Sequence, residues 1–311
     1  MVTPVYVVYY VCAVLVIITT VFGNLLVIIS VCHFRQLHTP TNVLLLSLAV
    51  ADLLVGLFVM PLEFTWLIES CWVFDVSVFA FLFFFSFQLT CASVHNVVLI
   101  AVDRYLALSN PFMYTKQITV KLSVIVALLN WLFASSYNFT LLYCNGFFTH
   151  ALTLCPSELP IFMNEVWSWV DFVIVFALPC SMMFVLYLKI FAIARKHAIA
   201  IRAANAQGNP NNRQAHNVPK RSERKAAKVL GILVCVFLCC VVPYYAASLL
   251  AEFVSGDIFD YVLNGTSVML YLNSLLNPII YALFYPWFQK SMKLILRCHI
   301  CTPESSLVQL K

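Results

Sequence analysis

Asp171 stands inside an apolar, aromatic run, Trp167-Ser168-Trp169-Val170-Asp171-Phe172-Val173. Burial penalises an ionised carboxylate, so an acid placed there either stays protonated or awaits a cation. The chain offers it no basic partner, since no Lys or Arg lies between Lys121 and Lys189. Two readings follow: a protonated Asp171 bonded to a neighbouring Ser or Tyr, or a counter-ion for an ammonium ligand that enters from outside. Tyr244, Tyr245, Tyr271 and Phe87 fall at similar depth in other apolar runs and would line the second kind of site with cation–π faces.

Asp52, within Leu48-Ala49-Val50-Ala51-Asp52-Leu53-Leu54, is the other deep acid. With Ser93, Asn24, Asn273 and Asn277 it forms a set of polar groups in apolar segments. That set would serve as hydrogen-bonded glue holding Asn277-Pro278, or as an inner cavity for a small cation such as sodium. Asp103-Arg104-Tyr105 closes a third run, and Glu223 opens a sixth. An Arg104–Glu223 pair across those two helix ends would latch them shut, provided that it is partly buried. Nothing resembles enzyme machinery: there is no His-Glu-x-x-His spacing and no nucleophile motif.

The elements that must carry these residues are membrane helices. The chain has 311 residues, 63% of them hydrophobic and 10% charged, too little charge for a soluble domain. Seven runs reach the roughly 20 residues needed to cross the hydrocarbon: 5–32, 41–67, 76–107, 120–142, 162–194, 226–251 and 259–285. Backbone in lipid must satisfy itself, so these are helices. All 18 Lys and Arg fall at one end of the parse: Arg35 in the first inner loop, Arg104, Lys116 and Lys121 in the second, a block from Lys189 to Lys228, and the rest from Lys290 onward. Glu63, Glu69, Asp75, Glu158, Glu165, Asp171, Glu252, Asp257 and Asp260 lie at the other end. The positive-inside rule then sets the amino terminus outside, leaving an outer mouth whose negative field draws in cations.

The expected fold is an all-α seven-helix bundle. One membrane domain spans 1–301 and a short inner tail spans 302–311. Residues 286–298 read as a basic amphipathic helix on the inner membrane surface. Cys298 and Cys301 behind it suit lipidation. Residues 200–220 read as a flexible inner loop, and its Lys220–Lys225 run as a helix end rather than a nucleic-acid signal. The first span is expected to act as its own insertion signal. Asn138-Phe139-Thr140 matches the glycosylation pattern near a span end, as does Asn264-Gly265-Thr266. Of twelve cysteines, Cys71, Cys144 and Cys155 face the side where oxidation occurs.

These positions resemble a rhodopsin-like G-protein-coupled receptor. The resemblance rests on Gly23-Asn24, the Asp52 run, Asp103-Arg104-Tyr105, Pro179 with Tyr187, Phe237 before Pro243, and Asn277-Pro278-Ile279-Ile280-Tyr281. The stretch from Asn273 to Phe288 is similar to that of the trace amine-associated receptors, and Glu223-Arg224-Lys225-Ala226-Ala227-Lys228 to that group and its aminergic relatives. The resemblance implies a plasma-membrane receptor of olfactory cilia that senses amines and raises cyclic AMP through a stimulatory G protein. Arrestin and a receptor kinase are implied as further partners, and no cofactor beyond an allosteric sodium ion. It gives Asp103, Arg104, Tyr105, Glu223, Tyr187, Phe237, Asn277, Pro278 and Tyr281 to activation and coupling.

The departures are equally specific. Ser86 stands where amine receptors place their Asp, eighteen residues before Arg104. Asp171, eight residues before Pro179, matches an alternative acid found in part of the trace-amine group. The amine is therefore expected to be held from span five, inverted relative to ordinary amine receptors. A diamine would need a second acid such as Glu63 or Glu165. Phe79 replaces the family's outer Cys, so Cys155 pairs with Cys71 or Cys144, or stays free. Val241 replaces a Trp, which shifts activation toward Phe237 and Tyr245. The rival within the fold is a receptor for a non-amine odorant or lipid with Asp171 protonated. A transporter or channel is disfavoured by the absence of repeats, and a retinal protein by the absence of Lys in span seven.

Overall fold

The computed structural model describes residues 4–69, 74–145, 165–206, 221–250, 257–297, 299–301 and 305–310. Seven helices in it are long and apolar enough to cross a membrane. They run Pro4–His33, Pro40–Glu69, Val76–Ser109, Val120–Cys144, Glu165–Ala206, Arg221–Leu250 and Asp257–Phe284, and no strand occurs among the described residues. The expected bounds hold to within a few residues except at the facing ends of spans five and six. Residues 201–206, expected in the flexible loop, continue the fifth helix. Ala203, Ala204 and Arg202 are strong helix formers and outweigh the local polarity there.

Side-chain caps start several of these helices. Thr39 accepts from the Asn42 amide with Pro40 behind it, Asp75 from Ser77, and Thr119 from Leu122. The Ser77 contacts hold the Asp75 carboxyl below the usual carboxylate range. A short helix, Pro111–Gln117, capped by Asn110, links spans three and four at the basic end.

Spans two and three form the centre. Over their most apolar stretches 61% and 50% of residues are buried, against 22% for spans one, four and five, which present apolar side chains outward for lipid. Polar bonds tie the centre together. Trp131 Nε1 donates to Ser47 Oγ, which donates to Asn96 Oδ1, and Asn130 Nδ2 donates to the Ala92 carbonyl.

Span seven is held by an accounting of backbone groups. Pro278 has no N–H, so the Ser274 carbonyl one turn earlier loses its helical donor. Asn24 Nδ2 of span one donates to that carbonyl at 2.9 Å. Gly23 makes the approach feasible, because a Cβ there would lie 2.9 Å from Pro278 Cγ.

The helix Pro286–Leu296 buries Phe288 and Ser291 and leaves its charged face out, as its amphipathic pattern predicts. Ser30 Oγ of span one donates to Ser291 Oγ. Leu310 packs on Phe34 and Leu37, and its amide donates to Gln36 Oε1. Cys298 and the Cys301 side chain lie outside the described residues.

Candidate functional site

Asp171 ends a regular helical turn, and a π-helical segment, Phe172–Ala177, follows it directly, just before Pro179. Such a segment inserts an extra residue into the turn, which re-aims neighbouring side chains and is frequent at functional sites. Asp171 faces into the bundle and is only 6% exposed. Tyr137 of span four donates its hydroxyl to Asp171 Oδ1 at 3.1 Å. Tyr244, Tyr245 and Cys91 lie within its electrostatic reach. Phe176 stacks on Tyr245, ring centroids 4.6 Å apart, and Tyr244 meets Tyr245 edge-on. Phe87 packs instead on Phe83, so the ring on the Tyr245 wall is Phe176.

A second π segment, Val55–Val59, precedes Pro61 in span two, and Glu63 follows one turn beyond its start of regular helix at Met60. Tyr271 of span seven donates to Glu63 Oε1 at 2.8 Å. Tyr244 lies within electrostatic reach of both Glu63 and Asp171. Ser86 Oγ is buried beside Tyr271. The acidic end of the bundle therefore holds two carboxylates among aromatic rings. The Arg104–Asp103 ion pair is at the opposite end.

Midway along the bundle, Asp52 is fully buried. Ser274 Oγ donates to its Oδ1 at 2.9 Å and Asn277 Nδ2 to its Oδ2 at 2.7 Å. Ser274 thus takes the place that the sequence reading gave to Asn273. Asn273 Oδ1 and Asn277 Oδ1 are buried acceptors without a donor, and Ser93 is buried in span three. A carboxylate with spare amide oxygens is hard-cation chemistry, so these residues suit a sodium ion.

At the basic end, Asp103 gathers donors. Thr41 Oγ1 donates to Oδ2 at 2.7 Å, Tyr114 Oη to Oδ1 at 2.7 Å, and Arg104 Nε to Oδ2 at 2.9 Å. Arg104 Nη2 also reaches Thr41 Oγ1 and Tyr114 Oη. Burial, then the Asp103 charge, pushes the Tyr114 hydroxyl up to about 12, so it remains a donor at any physiological pH. The Glu223 side chain, and with it the expected Arg104–Glu223 latch, lies outside the described residues; Arg104 is engaged with Asp103. Tyr187, Tyr281 and Tyr285 each bury a hydroxyl without a partner near this site. Tyr105 faces Lys189, whose Nζ sits 5.8 Å from its ring centre. Phe237 is packed in the core with Val241 and Tyr281.

One expected site is overturned. Asn138 is fully buried, with Nδ2 donating to the Ala134 carbonyl and to Gln88 Oε1. A glycan has no route to that nitrogen. Cys144 is exposed at the end of span four, while Cys71 and Cys155 lie outside the described residues. Phe79 is buried edge-on against Trp66. A surface hollow lined by Phe191, Arg195 and Ile199 lies 20 or more residues from Asp171 in the same helix, roughly 30 Å away at 1.5 Å per residue, and holds no carboxylate. Thr41, Tyr114, Tyr137, Phe176 and Ser274 are the contributors that sequence reasoning missed. Only Ser274 left a signal, since it lies three residues before Asn277 on the same helix face.

A profile of the family described as 7 transmembrane receptor (rhodopsin family) matches residues 23–281. The chain is 38% identical over 296 residues to trace amine-associated receptor 13c of Danio rerio, covering 94% of this chain and 86% of that one. It is 37% identical over 282 residues to trace amine-associated receptor 2 of Homo sapiens, covering 89% and 78%. To trace amine-associated receptor 7a of Rattus norvegicus it is 38% identical over 299 residues, covering 94% and 83%.

Proposed function

The chain belongs to the rhodopsin family of seven-transmembrane receptors, among the trace amine-associated receptors, and on that premise we propose that it senses an amine held by Asp171. Membership makes it a multi-pass membrane receptor for a small molecule, acting on a G protein, and not an enzyme. The carrying observation is Asp171 itself. It is a buried carboxylate with a neutral donor, Tyr137, aromatic neighbours and, among the described residues, no cation of its own. An ammonium entering from the acidic end, taken as the outer face, supplies the missing charge, and Tyr244 and Tyr245 offer ring faces to it. Ser86 leaves span three without the usual anchor, so the amine is held from span five.

Binding is coupled to the basic end by population shift, a ligand favouring whichever state it binds better. The signalling state separates spans three and six and frees Arg104 toward a stimulatory G protein. Tyr187 and Tyr281 turn their hydroxyls into the opened groove. Asp52, Asn277, Asn273 and Ser93 would hold a sodium ion that favours the closed state. Tyr105, Phe237 and Pro278 relay the helix movement, and Cys298 and Cys301 carry lipid.

The test is a cyclic AMP assay of wild type and Asp171→Asn against a panel of amines, with surface expression measured in parallel. The expected result is a wild-type amine response that the variant loses at equal surface number. A wild type silent to every amine but responsive to a neutral odorant would favour the reading in which Asp171 is protonated and bonded to Tyr137.

A further inference from the structure

We propose that residues 305–310 are an autoinhibitory strap: docked on the first inner loop they steady the Thr41–Asp103 bond, and their release shifts the receptor toward signalling. This rests on the reading of Arg104 above and not on the identity of the ligand.

The strap is held at its two ends. Ser305 is 7% exposed, and its hydroxyl donates to the Ile300 carbonyl at 2.8 Å. Its Oγ is thereby left to accept from His33 Nε2 of span one at 2.9 Å. Leu310 is 1% exposed and fills a cluster with Phe34 and Leu37 of the first inner loop, backed by Trp287 and Leu294. Its amide donates to Gln36 Oε1 at 3.1 Å. Between the ends, Leu307 and Val308 are exposed. Ordering the segment costs conformational entropy, and only the two ends offset that cost. A segment held so sparingly belongs to the low-stability part of a fold, from which moving elements are drawn.

The loop beneath the strap leads to the Arg104 lock. Leu37 closes the turn Arg35–Leu37. Its carbonyl accepts from the buried Asn42 Nδ2 at 2.9 Å and from the Thr39 amide at 2.8 Å. Thr39 in turn caps span two by accepting from the Asn42 amide. Thr41 lies between these two residues, and its hydroxyl donates to Asp103, which holds Arg104. The other wall of the Leu310 cluster is the helix Pro286–Leu296, which continues from span seven. Movement of span seven on opening would part the two walls and expel Leu310. By linkage, expelling Leu310 makes opening easier.

Wild type, Leu310→Asp, Leu310→Met, Gln36→Ala and Leu310→Asp combined with Thr41→Val are tagged at the amino terminus to count surface receptors. Ligand-independent cyclic AMP is measured per surface receptor, and hydrogen exchange of 305–310 is followed in receptor held in lipid discs. Burying a leucine side chain corresponds to about tenfold to a hundredfold in a docking equilibrium, so Leu310→Asp is expected to undock the strap. The segment should be protected in wild type and in Leu310→Met, and should exchange freely in Leu310→Asp. Basal output should rise several-fold in Leu310→Asp, less in Gln36→Ala, and stay at the wild-type level in Leu310→Met. The double variant should not exceed the larger of its single variants, because both act through one bond. Free exchange of 305–310 in wild type overturns the strap. So does an undocked Leu310→Asp whose basal output does not rise, which would leave the contact merely structural. Effects of Leu310→Asp and Thr41→Val that multiply would overturn the route through Thr41. Because basal output needs no amine, failure of the Asp171 reading does not touch these results.

Discussion

Tyr137 decides what kind of acid Asp171 is. Its hydroxyl donates to Oδ1 and leaves Oδ2 for a ligand. If Asp171 is an anchor, the phenol stabilises the ionised form, and hydrogen bonds to charged groups contribute about 1.5–3 kcal/mol. Tyr137→Phe is then expected to weaken amine potency by roughly tenfold or more, read from concentration–response curves at matched surface number. If Asp171 is a protonated structural acid, its own O–H serves the tyrosine, and losing that phenol leaves ligand potency unchanged. An unshifted curve would therefore sink the anchor role. The Asp171–Tyr137 pairing was not legible in the sequence. Asp171 announced itself by lacking a cation, but naming its neighbour required the relative rotation of two helices. The π segment after Asp171 adds a residue that no 3.6-residue periodicity reveals. Asn138 misled for the opposite reason, because a three-residue pattern carries no information about which face of a helix it occupies.

The helices themselves were legible, because length, hydropathy and caps are local properties. Spans one to four begin and end within a few residues of where the apolar runs do. What positions the acids is less local, and it is again proline. Pro61 and Pro179 each follow a π segment, and those segments flank Glu63 and Asp171. Pro278 in span seven is managed differently, by the Asn24 amide bonded to the freed Ser274 carbonyl. Without that donor the carbonyl is buried unsatisfied, at about 1–3 kcal/mol. Asn24→Ala is therefore expected to lower the thermal unfolding midpoint of the detergent-purified receptor by several degrees. Gly23→Ala should do so by a different route, since its Cβ would press on the rigid Pro278 ring at 2.9 Å. Unchanged midpoints for both variants would mean that spans one and seven are not held together at this point. The same Asn24 was legible as a buried polar residue, whereas its partner, a backbone carbonyl, is invisible to any reading of side-chain types.

On the proposed reading, ligand and G protein act at opposite ends of the molecule, which requires the basic end to be a switch that is shut at rest. The arrangement fits that demand. Asp103 holds Arg104 while also accepting Thr41 and Tyr114, which ties span three to span two and to the helix Pro111–Gln117. Tyr187, Tyr281 and Tyr285 meanwhile leave three buried hydroxyls unsatisfied nearby. The closed state thus combines bonds that favour it with groups that would gain partners on opening. Thr41→Val and Tyr114→Phe each delete a donor to Asp103 and, with it, an acceptor of Arg104 Nη2, so both loosen the hold on Arg104. Each removes about 1.5–3 kcal/mol from the closed state if the bond is lost on opening, and 1.4 kcal/mol is a tenfold change in the equilibrium. Ligand-independent cyclic AMP is expected to rise several-fold in either variant, measured against surface receptor number. Arg104→Ala should instead abolish signalling while amine binding persists. Because a resting population shifted toward the open state binds agonist more tightly, the two lock variants should also respond at lower amine concentrations than wild type. Basal output at or below the wild-type level in both would show that Asp103 is a structural hub rather than part of the switch, and that the resting state is kept shut elsewhere.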